Sequence, residues 1–371
     1  MKVNTILFIL CLVLCSCSSQ KSTETFAYFG TYTKGSSEGI YFSKFDTETG
    51  EISSPELAVK IDNPSFIAIH PNKQYLFSVI EASGDKAAVV SFKIESDGTL
   101  TKINHQPAKG DYPCHLSVDA TGKVLLVANY NGATCRSYPI YSDGQIGMGT
   151  TYKHTGSSVN KKRQNAPHLH SINVDPANKR AFVADLGIDK VVIYNLDANK
   201  AKLKSHGAII LPAGGGPRHF SFHPSGKFAY ANLELTREIV AMSYNQKSGM
   251  LKKLQILSTL PEDAEAAGST AECLVHPSGK FVYVSNRGHN SIAAFKIDQS
   301  SGELTRVDVE PTLGEIPRGF GIDPSGKFIV AGHQKTDKVT VFKINQKDGS
   351  LEFTGNEVEA NGVVNVRFLE K

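Results

Sequence analysis

After its first residues the 371-residue chain has no helical periodicity of useful length, which leaves an all-β fold. Three further shortages narrow the function. The net charge of +4 is small for this length and the lysines scatter at repeated Gly-Lys turns, so nothing points to nucleic acid. Of six cysteines only Cys114, Cys135 and Cys273 follow the N-terminal segment. Three cannot pair completely, and Cys114 and Cys273 fall in expected inner strands, so buried free thiols are expected rather than a disulfide framework or a metal site. The apolar run from Ile6 to Leu14 is too short to cross a bilayer.

What the chain has instead is one phrase repeated six times: a turn, a short strand, His-Pro or Asp-Pro with Gly-Lys or Asn-Lys, then a second apolar strand. The copies begin at Pro64, Pro113, Leu169, Pro217, Thr270 and Pro317. A period of roughly 45 to 55 residues is that of propeller blades with four antiparallel strands each. Two ends remain, Phe26 to Ser43 at the start and Val363 to Phe368 at the finish. If the last strand becomes the innermost strand of a blade whose outer strands come from the N-terminus, the ring closes with seven blades and no open sheet edge. The expected architecture is therefore all-β, a seven-bladed β-propeller of four-stranded antiparallel blades, closed by the C-terminal strand joining the N-terminal ones and covering residues 26–371.

The N-terminus reads as an export signal, with Lys2 ahead of the apolar run and a polar stretch from Ser18 behind it. Leu14-Cys15-Ser16-Cys17 resembles the lipobox of bacterial lipoproteins. That resemblance implies a signal over residues 1–16, a lipid on Cys17, a tether over residues 17–25, and an exported protein held at the bacterial cell envelope. A plain signal peptide, with no special role for Cys17, is the other reading.

In a propeller the start of each blade's inner strand and the end of its second strand lie on one face of the ring, because the two form a hairpin. The inner slots hold Ser65 and Phe66, Cys114 and His115, His170 and Ser171, Arg218 and His219, Ala271 and Glu272, and Arg318 and Gly319. The second-strand slots hold Glu81, Asn129 and Asn131, Asp185, Asn232 and Glu234, Asn286 and Arg287, and His333 and Gln334. Repeats without function should carry like residues in equivalent slots. Here they diverge into polar types while the strand cores stay apolar, as expected of a ligand site over the channel mouth.

Arg218, Arg287 and Arg318 are suited to an anionic substrate or a developing oxyanion. Glu234 is suited to accepting a proton from water, and His170 to proton transfer near neutral pH. His168, His219, Glu272, Asn129 and Asp185 complete the expected substrate-binding set. No nucleophile motif for an acyl-enzyme is visible, and His168 and His170 lack a local partner for a metal, so no cofactor or metal is expected. His70, His223 and His276 read as turn residues. Lys161-Lys162-Arg163 is either a solvated loop or a guide for an incoming anion.

The stretches from His154 through Arg163-Gln164 and Pro167-His168-Leu169-His170-Ser171 to Asp189, with Gly216-Pro217-Arg218-His219, Asn232-Leu233-Glu234, Ser285-Asn286-Arg287-Gly288 and Pro317-Arg318-Gly319, resemble the lactonase family of seven-bladed propellers. That family contains 6-phosphogluconolactonases and fungal carboxy-muconate cycloisomerases. The resemblance implies a monomeric lactonase acting on a sugar lactone, such as 6-phosphoglucono-1,5-lactone or a related aldonolactone. In the cycloisomerase branch the chemistry is attributed to a His, a Glu and two Arg, which by motif fall on His170, Glu234, Arg218 and Arg287. Two alternatives stay open: a muconate-lactone cycloisomerase-type lyase, and a non-catalytic envelope propeller that binds a ligand or protein.

Overall fold

The computed structural model describes residues 25–265 and 267–370. The signal, Cys17 and nearly all of the tether lie outside the described residues. Seven four-stranded sheets form the ring, each antiparallel throughout. Numbered as blades in chain order, residues 67–107 form blade 2, 113–153 blade 3, 169–210 blade 4, 217–258 blade 5, 269–311 blade 6 and 319–359 blade 7. Blade 1 places the C-terminal strand Val363–Glu370 innermost, paired to Thr25–Thr31 in the register Thr25↔Glu370 to Thr31↔Val363. The expected closure is therefore present. Thr25 is already paired and buried at this seam.

No single core fills the molecule. Seven apolar clusters each sit between two neighbouring blades, as where Phe182 and Ile193 of blade 4 meet Phe220 and Met242 of blade 5. Strand alternation causes this: each blade is apolar on both faces, so stability comes from the stack. Cys114, Cys135 and Cys273 are buried free thiols, as the sequence implied.

The repeated His-Pro turns supply a second inter-blade contact at the far end of the inner strands. In blade 5, the Ser225 amide donates to Nδ1 of His223 at 3.1 Å, so the ring proton sits on Nε2 and is donated to the Gly279 carbonyl of blade 6 at 2.8 Å. His70 and His276 repeat this on Gly122 and Gly326. Gly279 has φ +73°, and a Cβ there would lie 2.5 Å from the imidazole, so this turn tolerates only glycine. His70, His223 and His276 are thus the turn residues they were expected to be, and they also staple blades together.

Replacing His223 by Ala removes one of two donors to the buried Gly279 carbonyl, which keeps Gln299 Nε2 at 2.9 Å, so a loss of about 0.5–1.5 kcal/mol is expected. The readout is the denaturant unfolding midpoint, and an unchanged midpoint would show that the staple contributes nothing.

Candidate active site

The site end of the ring departs from regular pairing. Opposite the second strands, the inner strands lose register at Cys114 in blade 3, His170 in blade 4, Arg218 and His219 in blade 5, and Ala271 and Glu272 in blade 6. Regular alternation would send Arg218 and His219 to opposite faces. An extra residue in the strand re-aims its neighbours, and here both side chains reach partners at the channel end. The irregular backbone is secured by Asn232, whose Oδ1 accepts from the His219 amide at 2.8 Å and whose Nδ2 donates to Thr270 Oγ1 at 2.8 Å.

Glu234, just past the second strand of blade 5, is 3 % exposed and gathers three guanidinium groups from three directions. Arg163 Nη2, from the loop before blade 4, donates to Oε1 at 2.5 Å. Arg218 Nε and Arg287 Nη2, from blades 5 and 6, each lie 3.0 Å from Oε2. The arginines are oriented further by backbone carbonyls: Arg218 donates to Ala271 and Arg287 to Thr270, the latter at 2.9 Å. Tyr130 adds its hydroxyl at 3.1 Å from Arg163 Nη2. Burial alone would raise the Glu234 pKa, but Arg287, Arg218 and Arg163 outweigh it and hold the carboxyl down at about 2. Burial with the nearby Arg318 and Arg287 charges lowers Arg218 to about 9, still protonated at neutral pH.

Beside this cluster lies a ring of imidazoles. The His219 ring is 5.5 Å from His170, 5.4 Å from His115 and 5.9 Å from Phe66, four residues from four blades. Its Nδ1 bonds to the Glu272 carboxylate from blade 6. Burial, with the neighbouring positive charge, keeps His170 and His115 well below the ordinary histidine value, so both are neutral. Arg367 stacks 4.8 Å over Phe66, and Arg318 lies 5.5 Å over the Tyr32 ring. Tyr32 in turn donates to Glu81 at 3.0 Å, at the edge of a cleft of about 630 Å³ that Lys34, Asn63, Lys86, Tyr112 and Gln334 also line.

His170, Arg218, His219, Glu234, Glu272, Arg287 and Arg318 thus converge as expected. Two others do not. Asn129 spends its amide on Ala108 O and Thr134 Oγ1, and Asp185 accepts from the His168 and Gly187 amides while pairing with His154 Nδ1 at 2.7 Å. Both are fully buried and support loops rather than a ligand. His168 stands at the rim, stacked on Tyr130 at 4.6 Å. Arg163, read as a loop charge or an anion guide, is a member of the cluster. Arg367 lies on the closing strand, which carries no copy of the repeated phrase and so offers no slot that would single it out.

The chain matches the family described as Lactonase, 7-bladed beta-propeller, over residues 26–368. It is 39% identical over 303 residues to a protein of Bacillus subtilis named 6-phosphogluconolactonase, covering 81% of this chain and 86% of that one. Among solved structures it resembles a putative 6-phosphogluconolactonase of Bacteroides fragilis, with TM-score 0.89 and 33% identity over 95% of this chain and 99% of that one. The periplasmic gluconolactonase of Pseudomonas aeruginosa is also similar, with TM-score 0.88 and 29% identity over 93% of this chain and 99% of that one.

Glu234→Gln removes the counter-charge of three guanidinium groups, and a destabilisation of about 3–5 kcal/mol is expected near neutral pH. Because the folded pKa is depressed, the carboxylate's contribution is complete above about 4.5 and is lost as pH falls through about 2. Unfolding curves of the two proteins should therefore converge toward pH 2. A gap that persists there would mean that packing, not charge, sets the effect.

Proposed function

The chain belongs to the lactonase family of seven-bladed β-propellers, and on that premise we propose that it hydrolyses the ester bond of a sugar lactone at one mouth of its channel. The observation that carries this reading is the Glu234 carboxylate holding Arg163, Arg218 and Arg287 beside neutral imidazoles. Guanidinium groups already oriented by a fixed anion and by backbone carbonyls can meet the negative charge that develops on a lactone carbonyl oxygen without reorganising. Arg318 extends the positive field toward the cleft, where a polyol chain or a 6-phosphate has room.

The role expected of Glu234 changes. A carboxylate held near pKa 2, with both oxygens against guanidinium groups, is too weak a base to activate water. It orders the arginines, while a neutral imidazole is the fitting proton acceptor and His170, 5.5 Å from the His219 ring, the relay.

The substrate is an aldonolactone, with 6-phosphoglucono-1,5-lactone one member of the class. Export and a lipid on Cys17 belong to the same proposal, since Leu14-Cys15-Ser16-Cys17 fits a lipobox. The similarity to a Pseudomonas gluconolactonase described as periplasmic supports such a location. Phosphorylated sugar lactones are scarce outside the cytoplasm, which favours an unphosphorylated substrate.

The test is turnover of glucono-1,5-lactone and its 6-phosphate by the purified protein in ¹⁸O-labelled water, above the spontaneous rate. One labelled oxygen should enter each carboxylate, and Arg287→Lys should lower kcat/KM by on the order of 10²–10³. Ring isomerisation without label would identify a lyase. Binding without turnover of any lactone would identify a non-catalytic propeller.

A further inference from the structure

The lactonase reading leaves unnamed the group that takes the proton from water, and the channel holds one imidazole built for it. Three histidines converge there, but their second-nitrogen partners differ. Nδ1 of His115 accepts from the Ile172 amide at 3.3 Å, so its proton sits on Nε2 and that nitrogen can only donate. Nδ1 of His170 faces the Cys114 thiol at 3.8 Å, a weak partner that leaves its tautomer open. Nδ1 of His219 meets the ionised Glu272 carboxylate, which demands a proton on Nδ1.

The consequence for His219 is a free lone pair on Nε2. Among the described residues, no hydrogen bond to that nitrogen occurs, and the ring is surrounded by side chains from the blades around the channel. Glu272 is itself held by the Cys273 amide, which donates to Oε1 at 3.1 Å, and by its own amide on Ser285 Oγ at 3.0 Å. A carboxylate that fixes one imidazole nitrogen as a donor makes the other a directed base. Arg218 is the preceding residue, so this base sits beside the guanidinium groups that would receive the carbonyl oxygen.

We propose that His219, held in one tautomer by Glu272, is the general base that takes the proton from the attacking water, with Glu272 as its positioning residue. The proposal rests on the lactonase reading of the same site. The step balances: the water oxygen bonds to the lactone carbonyl carbon while its proton passes to Nε2. The tetrahedral intermediate then collapses with cleavage of the bond from that carbon to the ring oxygen. The ring oxygen leaves as a hydroxyl, taking the proton back from the imidazolium directly or through His170. The product is the open-chain hydroxy acid.

The charged and titratable groups facing His219 are Glu272, Arg218, Arg367, His115 and His170. Burial lowers His219 to about 4, the arginines act in the same direction, and Glu272 opposes them. The kcat/KM of the wild type should therefore fall as pH drops through about 4. Removing the carboxylate in Glu272→Gln lowers the His219 value further, so the acid limb should move to lower pH while the plateau falls. His219→Ala should lose on the order of 10²–10⁴ in kcat, partly restored by added imidazole. Nitrogen-15 shifts of the wild-type histidine should report a protonated Nδ1 and a bare Nε2 without reference to turnover.

If no lactone is opened by the wild type, the lactonase reading fails and this inference with it. If the wild type is active and His219→Ala is equally so, or if Nε2 carries the proton, only the base assignment is overturned. A loss of activity in both variants with an unmoved acid limb and no rescue by imidazole would mark a structural dyad and also overturn it.

Discussion

Four charges, two of them buried and Arg163 41 % exposed at its side chain, determine what this site can be. One buried carboxylate, Glu234, stands against Arg218 from the same hairpin of blade 5, Arg163 from the loop before blade 4 and Arg287 from blade 6. Without the carboxylate the arginines repel one another, and without them burial would push the carboxyl's pKa up. Neither half is tolerable alone in a buried setting. The result is a fixed positive surface whose geometry exists before any ligand arrives.

The rest of the fold supports that arrangement. Apolar clusters between blades make the ring rigid, and the closing strand and the His-Pro staples tie neighbours together at the opposite end. At the site end the inner strands break register, which costs ladder hydrogen bonds and turns successive side chains toward one space. Asn232 recovers part of that cost by bonding the displaced backbone. Regular repeats thus supply stability, and a local irregularity supplies the polar centre.

Much of this was legible in the sequence. The period of the repeats, the alternating strands and the two unmatched ends were enough for seven blades and their closure, because these depend on local patterns. Divergence among equivalent slots found Arg218, His219, Glu234, Glu272, Arg287 and Arg318. The same criterion, applied strictly, would have removed Asn129: asparagine recurs in its slot at Asn232 and Asn286, and all three bond to nearby backbone or hydroxyls. Asp185 carries a different residue in that slot yet is also structural, since its partners are amides two and seventeen positions away. Arg163 could not be placed because it sits on a loop outside the repeat. The weak basicity of Glu234 was hidden for a related reason: it depends on three cations whose proximity only the folded ring creates.

The most direct measurement is a crystal structure with an aldonic acid, the hydrolysis product, bound. The product carboxylate should lie within about 3 Å of the Arg218 and Arg287 guanidinium groups, with one oxygen toward His219. A product seated on the opposite face of the ring, or held by groups other than these arginines, would contradict the assignment of this mouth as the lactone site.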